Sequence, residues 1–103
     1  MRPKGRQGSW FATYDGIEYP CVWNTLAKGA PLKYDDDGLS KYDRADAYVA
    51  AIRRMGKVIL TKRRLAPDGS WRRDGYLALL SIKDIEYDGH RLTFEANDRQ
   101  DFR

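Results

Sequence analysis

The sequence predicts an α+β domain: a strongly curved antiparallel sheet or small β-barrel of about six or seven strands with one α-helix at about 41–55. Three observations carry this expectation. Turn signals at Asp15-Gly16, Pro67-Asp68-Gly69 and Asp88-Gly89 punctuate short alternating or apolar runs. A single stretch, from Lys41 to Met55, combines apolar residues at helical spacing with helix start and stop signals. The chain of 103 residues supplies enough material for one core but not for two.

The elements follow in order. Residues 1–8, MRPKGRQG, hold three cations, two glycines and a proline, with nothing to bury, and read as a flexible basic arm. They lead into no apolar segment, so no secretion signal is expected. The globular domain is expected over 9–97. It opens with a hairpin, SWFATY and IEYPCVW around Asp15-Gly16. A two-residue Asp-Gly loop favours a type I′ turn and sets Tyr14 opposite Ile17, Ala12 opposite Tyr19 and Trp10 opposite Cys21. Trp10, Ala12, Tyr14, Ile17, Tyr19, Cys21 and Trp23 then share one face. Pro20 lacks a donor, which places it at a sheet edge or bulge.

Asn24 to Ser40 reads as loop, with Gly29, Pro31 and the run Asp35-Asp36-Asp37-Gly38. Ser40 is the expected N-cap of the helix. Ala45, Tyr48, Val49, Ile52 and Met55 form its apolar face, and Gly56 is its stop. Lys57–Leu65 and Ser70–Arg73 form a second hairpin, and Tyr76–Ile82 a central strand covered on both faces. A last hairpin, IKDIEY and HRLTFE, is expected to pair Tyr87 with His90, Ile85 with Leu92, Lys83 with Phe94 and Glu86 with Arg91. Residues 98–103 read as a frayed tail. In general outline the arrangement is similar to small nucleic-acid-binding barrels, an analogy of fold only.

Charge is unevenly placed. Arg53 to Arg73 holds eight of the nineteen lysines and arginines and one of the fifteen acids, so it carries +7 while the rest carries −3. A three-residue loop at Pro67-Asp68-Gly69 puts Leu65 opposite Trp71, Arg64 opposite Arg72 and Arg63 opposite Arg73. Like charges so opposed cost a few tenths to about 1 kcal/mol per pair. A polyanion relieves that cost, because arginine forks match phosphate and an exposed tryptophan stacks on bases. The function expected is therefore a small, non-enzymatic nucleic-acid-binding module. Lys62, Arg63, Arg64, Arg72 and Arg73 contact DNA or RNA phosphates and Trp71 stacks. The alternative is a protein-interaction or regulatory domain that presents the same hairpin to an acidic protein.

Trp10, Tyr14, Tyr19 and Trp23 form a second candidate, an aromatic pocket, although aromatics on one strand face more often serve as core. Catalysis has little support. His90 is the only histidine and sits beside a turn, and Cys21 is the only cysteine, with no adjacent base. No Cys/His spacing suits zinc, and neither phosphate-binding glycine motif occurs. Asp35–Asp37 lack the alternating ligand positions of a calcium loop, and Asp84, Glu86 and Asp88 alternate but lack the lysine of the common restriction-nuclease pattern. No cofactor or metal is expected. The apolar runs are too short to span a bilayer, and a lone cysteine fits the cytoplasm.

Overall fold

The computed structural model describes residues 2–5 and 10–102. Seven strands form one mixed sheet: β1 (Phe11–Tyr14), β2 (Ile17–Trp23), β3 (Ala27–Lys28), β4 (Lys33–Asp36), β5 (Lys57–Leu65), β6 (Trp71–Tyr87) and β7 (Leu92–Asp101). Their spatial order is β1-β2-β5-β6-β7-β4-β3. The sheet ends at β1 and β3 and does not close into a barrel. The fold is nonetheless α+β, with one helix, α1 (Ala45–Met55).

The first hairpin has the register its turn dictates, with Tyr14 opposite Ile17 and Ala12 opposite Tyr19. Cys21 N–H donates to the Trp10 carbonyl at 2.7 Å. At Pro20, β2 changes partner: residues up to Pro20 pair with β1, and Cys21 to Trp23 pair with β5. The β2–β5 pair is parallel, which corrects the all-antiparallel expectation. The 24–56 connection is the cause. It is long enough for a crossover, and α1 lies within it against β2 and β5.

The first part of that connection, Asn24 to Ser40, is not the expected loop. It contains β3, β4 and short 3-10 turns at Asn24–Leu26 and Leu39–Lys41. Strand β4, Lys-Tyr-Asp-Asp, pairs antiparallel with β7 and buries Tyr34 in a stack on Phe94, with ring centres 4.8 Å apart. The helix starts at Ala45, not Lys41, and no side chain caps it; Ser40 bonds His90 instead. Its stop is as expected. Gly56 has φ 64°, a left-handed conformation that glycine takes without strain, and its N–H reaches the Ile52 carbonyl at 3.0 Å.

The third quarter of the chain differs in continuity. The stretches expected as separate strands at 70–73, 76–82 and beyond are, from Trp71 to Tyr87, one 17-residue strand, β6. Gly75, between the two expected strands, has φ 117° and lies where the β5–β6 register shifts, so the strand bulges and continues. The last hairpin has Tyr87 opposite Leu92 and Glu86 opposite Thr93. Asp88 accepts the backbone N–H groups of His90 and Arg91, widening the loop to 88–91 and overriding the two-residue turn. Asp84 adopts φ 56° beside a second register shift, so Asp84, Glu86 and Asp88 do not alternate along one face. Among the described residues no cluster of acids, histidine or cysteine could hold a metal.

The described residues near both ends, 2–5 and 98–102, are better anchored than expected. Residues 98–101 belong to β7 and pair with β6, and Phe102 packs on Tyr14 with ring centres 4.7 Å apart. Lys4 exchanges two backbone hydrogen bonds with Thr13, at 2.7 and 2.8 Å, and Pro3 is buried. The remainder of the expected arm, residues 1 and 6–8, lies outside the described residues, as does Arg103 of the tail.

Two clusters hold the sheet. On one face Tyr48, Val49 and Ile52 of α1 meet Val22, Val58, Leu60, Leu80, Leu92 and Phe94. On the other, Ala12, Tyr19 and Cys21 meet Ile59 and Leu79. Val58, Ile59 and Leu60 alternate between the two, as a strand covered on both faces requires. Among the described residues no helix is long and apolar enough to cross a membrane.

Candidate functional site

The basic hairpin is a ribbon that outruns its neighbours. The β2–β5 ladder ends at Trp23–Thr61 and the β6–β7 ladder at Ala78–Asp101. Beyond those points β5 and β6 pair with each other, with Arg63 opposite Arg73, Arg64 opposite Arg72 and Leu65 opposite Trp71. This is the register read from the sequence. The tip is closed by Ala66 N–H to the Ser70 carbonyl at 2.8 Å, and Asp68 accepts the Ser70 N–H and hydroxyl.

Strand alternation divides the six candidate residues between two faces. Lys62, Arg64 and Arg72 are exposed on one. Arg72 approaches Asp68 at 3.5 Å, and Arg64 has no ion-pair partner among the described residues. Arg63, Arg73 and Trp71 lie on the other, where the cations alternate with rings. The Arg63 guanidinium is 4.2 Å from the Trp71 ring centre and 5.2 Å from that of Trp23. Arg73 lies 6.0 Å from Trp23 and 5.3 Å from Tyr76, whose hydroxyl it bonds at 3.0 Å. Arg63 is also tied to the short turn after β2: its N–H donates to Asn24 Oδ1 and its Nε to Thr25 Oγ1. Trp71 remains 50% exposed and Leu65 59%.

The face bearing Arg63 and Trp71 overlooks a cavity of about 880 Å³. All three tryptophans of the chain line it, with Tyr42 and Tyr48 completing the aromatic side. Trp10 meets Tyr42 and Tyr48 edge to face at 5.2 and 4.7 Å, and Lys41 lies over the Tyr42 ring. The opposite wall comes from β4 and the segment after it: Lys33, Asp35, Asp36, Asp37 and Gly38. Of the expected aromatic pocket, Trp10 and Trp23 are here. Tyr14 and Tyr19 are not; they pack in the second cluster, because the turn end of the hairpin lies against Ile59 and Leu79.

The three aspartates have different surroundings. Asp35 accepts two hydrogen bonds from Arg91, from Nε at 2.8 Å and from a terminal nitrogen, which hold its carboxyl below the usual range. Asp37 lies 3.0 Å from His90 Nε2, and Ser40 Oγ is 2.6 Å from His90 Nδ1. The ring nitrogens are used the opposite way round from a hydrolase triad, in which the carboxylate holds Nδ1 and the hydroxyl meets Nε2, and His90 and Asp37 are 56% and 67% exposed. Their evident effect is to pin the last turn to the segment before α1, where Leu39 N–H also reaches the His90 carbonyl at 3.1 Å. Asp36 is half-buried. Burial raises its carboxyl, against the opposing pull of Arg63, the Tyr34 hydroxyl and Lys41. Sequence reasoning missed Asp36 and Tyr42 as site residues. The one available cue was Tyr34, a lone aromatic in an acidic stretch that marks a strand and so fixes which way Asp36 faces.

No protein-family model matches this chain, and comparison with curated proteins and with solved structures finds no match either.

Proposed function

We propose that this chain is a small nucleic-acid-binding module that works by binding and not by catalysis. The observation that carries the reading is the β5–β6 ribbon, which extends past β2 and β7 with opposed arginines and a half-exposed tryptophan. A protruding two-stranded ribbon has dimensions that suit a nucleic-acid groove. Lys62, Arg64 and Arg72 supply exposed charge for phosphates, and Trp71 a ring for a base. Arg63 and Arg73 contribute from the aromatic face, where a stacked guanidinium retains its N–H edge for phosphate. A cytoplasmic setting goes with this reading and with the single buried cysteine.

An NMR titration of the protein with short DNA and RNA at low salt tests it. Shifts confined to residues 62–73 and the three indole N–H groups are expected. If neither nucleic acid moves a resonance, the proposal is wrong. One observation favours a second reading, a protein partner: Leu65 and Trp71 form an exposed apolar pair across the ribbon. A stoichiometric protein captured from lysate after nuclease treatment, and lost on Leu65→Ser, would support that reading.

A further inference from the structure

We propose that the cavity beside the ribbon is a nucleobase pocket for guanine, with Asp36 reading the base edge and the lysines of the rim taking its phosphate. This rests on the nucleic-acid reading above and adds a base preference to it.

The volume of about 880 Å³ lies within the range of ~300–1,000 Å³ typical of small-ligand sites. Three tryptophans and two tyrosines on one cavity point to a planar aromatic ligand. An aromatic site with a carboxylate can also hold an organic cation. The charge of the lining argues against that occupant here: five cations, Lys28, Lys33, Lys41, Arg63 and Arg91, stand beside three aspartates. Two of those aspartates are already taken up outside the aromatic side, Asp35 by Arg91 and Asp37 by His90, whereas Asp36 has the Tyr34 hydroxyl, Arg63 and Lys41 beside it. Lys28, Lys33, Lys41 and Arg63 are therefore left with Asp36 as the one remaining carboxylate of the lining, an excess that suits a ligand with an anionic group as well as a ring.

Asp36 then decides which ring. It is the least solvated of the three carboxylates, and an ionised carboxylate is acceptor-only, with two oxygens side by side. It matches an edge that presents two adjacent donors. Guanine has one, its ring N1–H next to the exocyclic amino group. Adenine and cytosine set one amino donor beside an acceptor, and uracil sets its single donor between two carbonyls. A bidentate contact of this kind discriminates by about 5- to 150-fold.

The test is a tryptophan-fluorescence titration of the full chain with GMP, AMP, CMP and UMP, read against a guanine-free oligonucleotide. GMP should bind at least about fivefold more tightly than the other three. Asp36→Asn, nearly the same size, should abolish that preference while leaving oligonucleotide binding intact. Equal affinity for all four nucleotides, or binding of none, overturns the pocket. If the guanine-free oligonucleotide binds while GMP does not, the pocket inference fails and the ribbon proposal stands. If GMP binds with the expected preference and no oligonucleotide binds, the ribbon proposal fails and the pocket stands. The nucleotide panel needs no variant, so the test survives a failure of Asp36→Asn to fold.

Discussion

Replacing Arg64 and Arg72 together by alanine separates binding from folding. The two lie directly opposite each other on the exposed face of the ribbon. Their removal relieves a like-charge pair, which stabilises the fold by a few tenths to about 1 kcal/mol. Against this stands the loss of the Arg72–Asp68 approach at 3.5 Å, where both side chains are more than half exposed. Such surface pairs contribute about 0–1 kcal/mol. The two effects nearly cancel. Unfolding should therefore shift by no more than about 0.5 kcal/mol, a change typical of surface substitutions.

Binding should respond far more. Each phosphate contact contributes about 0.9 to the slope of log K against log salt on a duplex and about 0.7 on a single strand. The wild-type slope is then about −2.7 if Lys62, Arg64 and Arg72 alone make contact, and about −4.5 if Arg63 and Arg73 join them. In either case the double variant lowers its magnitude by about 1.8 on a duplex. At 0.1 M salt that loss is about 60-fold in affinity. Fluorescence anisotropy of a labelled duplex over roughly 50–300 mM salt measures the slope, and urea unfolding measures the stability. An unchanged slope means that these arginines do not touch phosphate. A large loss of stability means that they serve the fold, and the argument from their repulsion is then wrong.

Two further predictions concern the fold. Leu80 is fully buried at the centre of β6, so Leu80→Ala should cost about 2–5 kcal/mol, seen as a melting point lower by roughly 10–25 °C, whereas Leu65→Ala at the exposed tip should leave it nearly unchanged. Asp35 and Asp36 should give opposite pH dependences in urea unfolding. The Arg91 bonds depress the Asp35 carboxyl, so its stabilisation is present above about 3.8 and lost as pH falls through the lower folded value; the deficit of Asp35→Asn should close in acid, and a constant deficit would refute it. Burial raises the Asp36 carboxyl, so its cost to folding grows as pH rises from about 3.8 through the raised value, and Asp36→Asn should remove that slope.

Much of the local structure was legible because short-range chemistry decides it. Asp15-Gly16 specified a turn and hence the register of four residues on either side, and Gly56 specified a left-handed helix end. The ribbon register followed from Pro67-Asp68-Gly69 in the same way. What stayed hidden depends on partners distant in sequence. Lys33–Asp36 is a strand because β7 offers it a backbone ladder and Phe94 offers Tyr34 a ring; alone, it reads as an acidic loop. The parallel β2–β5 pair exists only once α1 has packed across it. Asp88 misled in the opposite direction. It signals a tight turn by composition, but its carboxylate captures two N–H groups and makes a wider one. The cavity shows the same division. Trp10 and Trp23 were assigned to one face from alternation alone, whereas Trp71, Tyr42 and Asp36 reach them only through the fold.

The four opposed arginines are not equivalent, and the difference narrows where function can reside. Arg63 and Arg73 oppose each other, yet rings lie between and beside their charges: Trp71, Trp23 and Tyr76 within 6.0 Å. A guanidinium over an aromatic face gains about 0.5–2 kcal/mol, which offsets the cross-strand repulsion without any outside partner. Folding therefore accounts for that pair. Arg64 and Arg72 have no such rings among the described residues; Asp68 gives one carboxylate oxygen to Ser70 and offers the other to Arg72 at 3.5 Å, which leaves Arg64 without an ion-pair partner there. Their repulsion is offset only by that exposed surface pair. A sequence that keeps an opposed pair with so weak an internal counter-charge at the tip of a protruding ribbon is best understood through something that meets the ribbon there. Lys62, Arg64, Arg72 and Trp71 are consequently the residues on which the binding proposal depends most, while Arg63 packs on Trp71 and Arg73 on Trp23 and Tyr76.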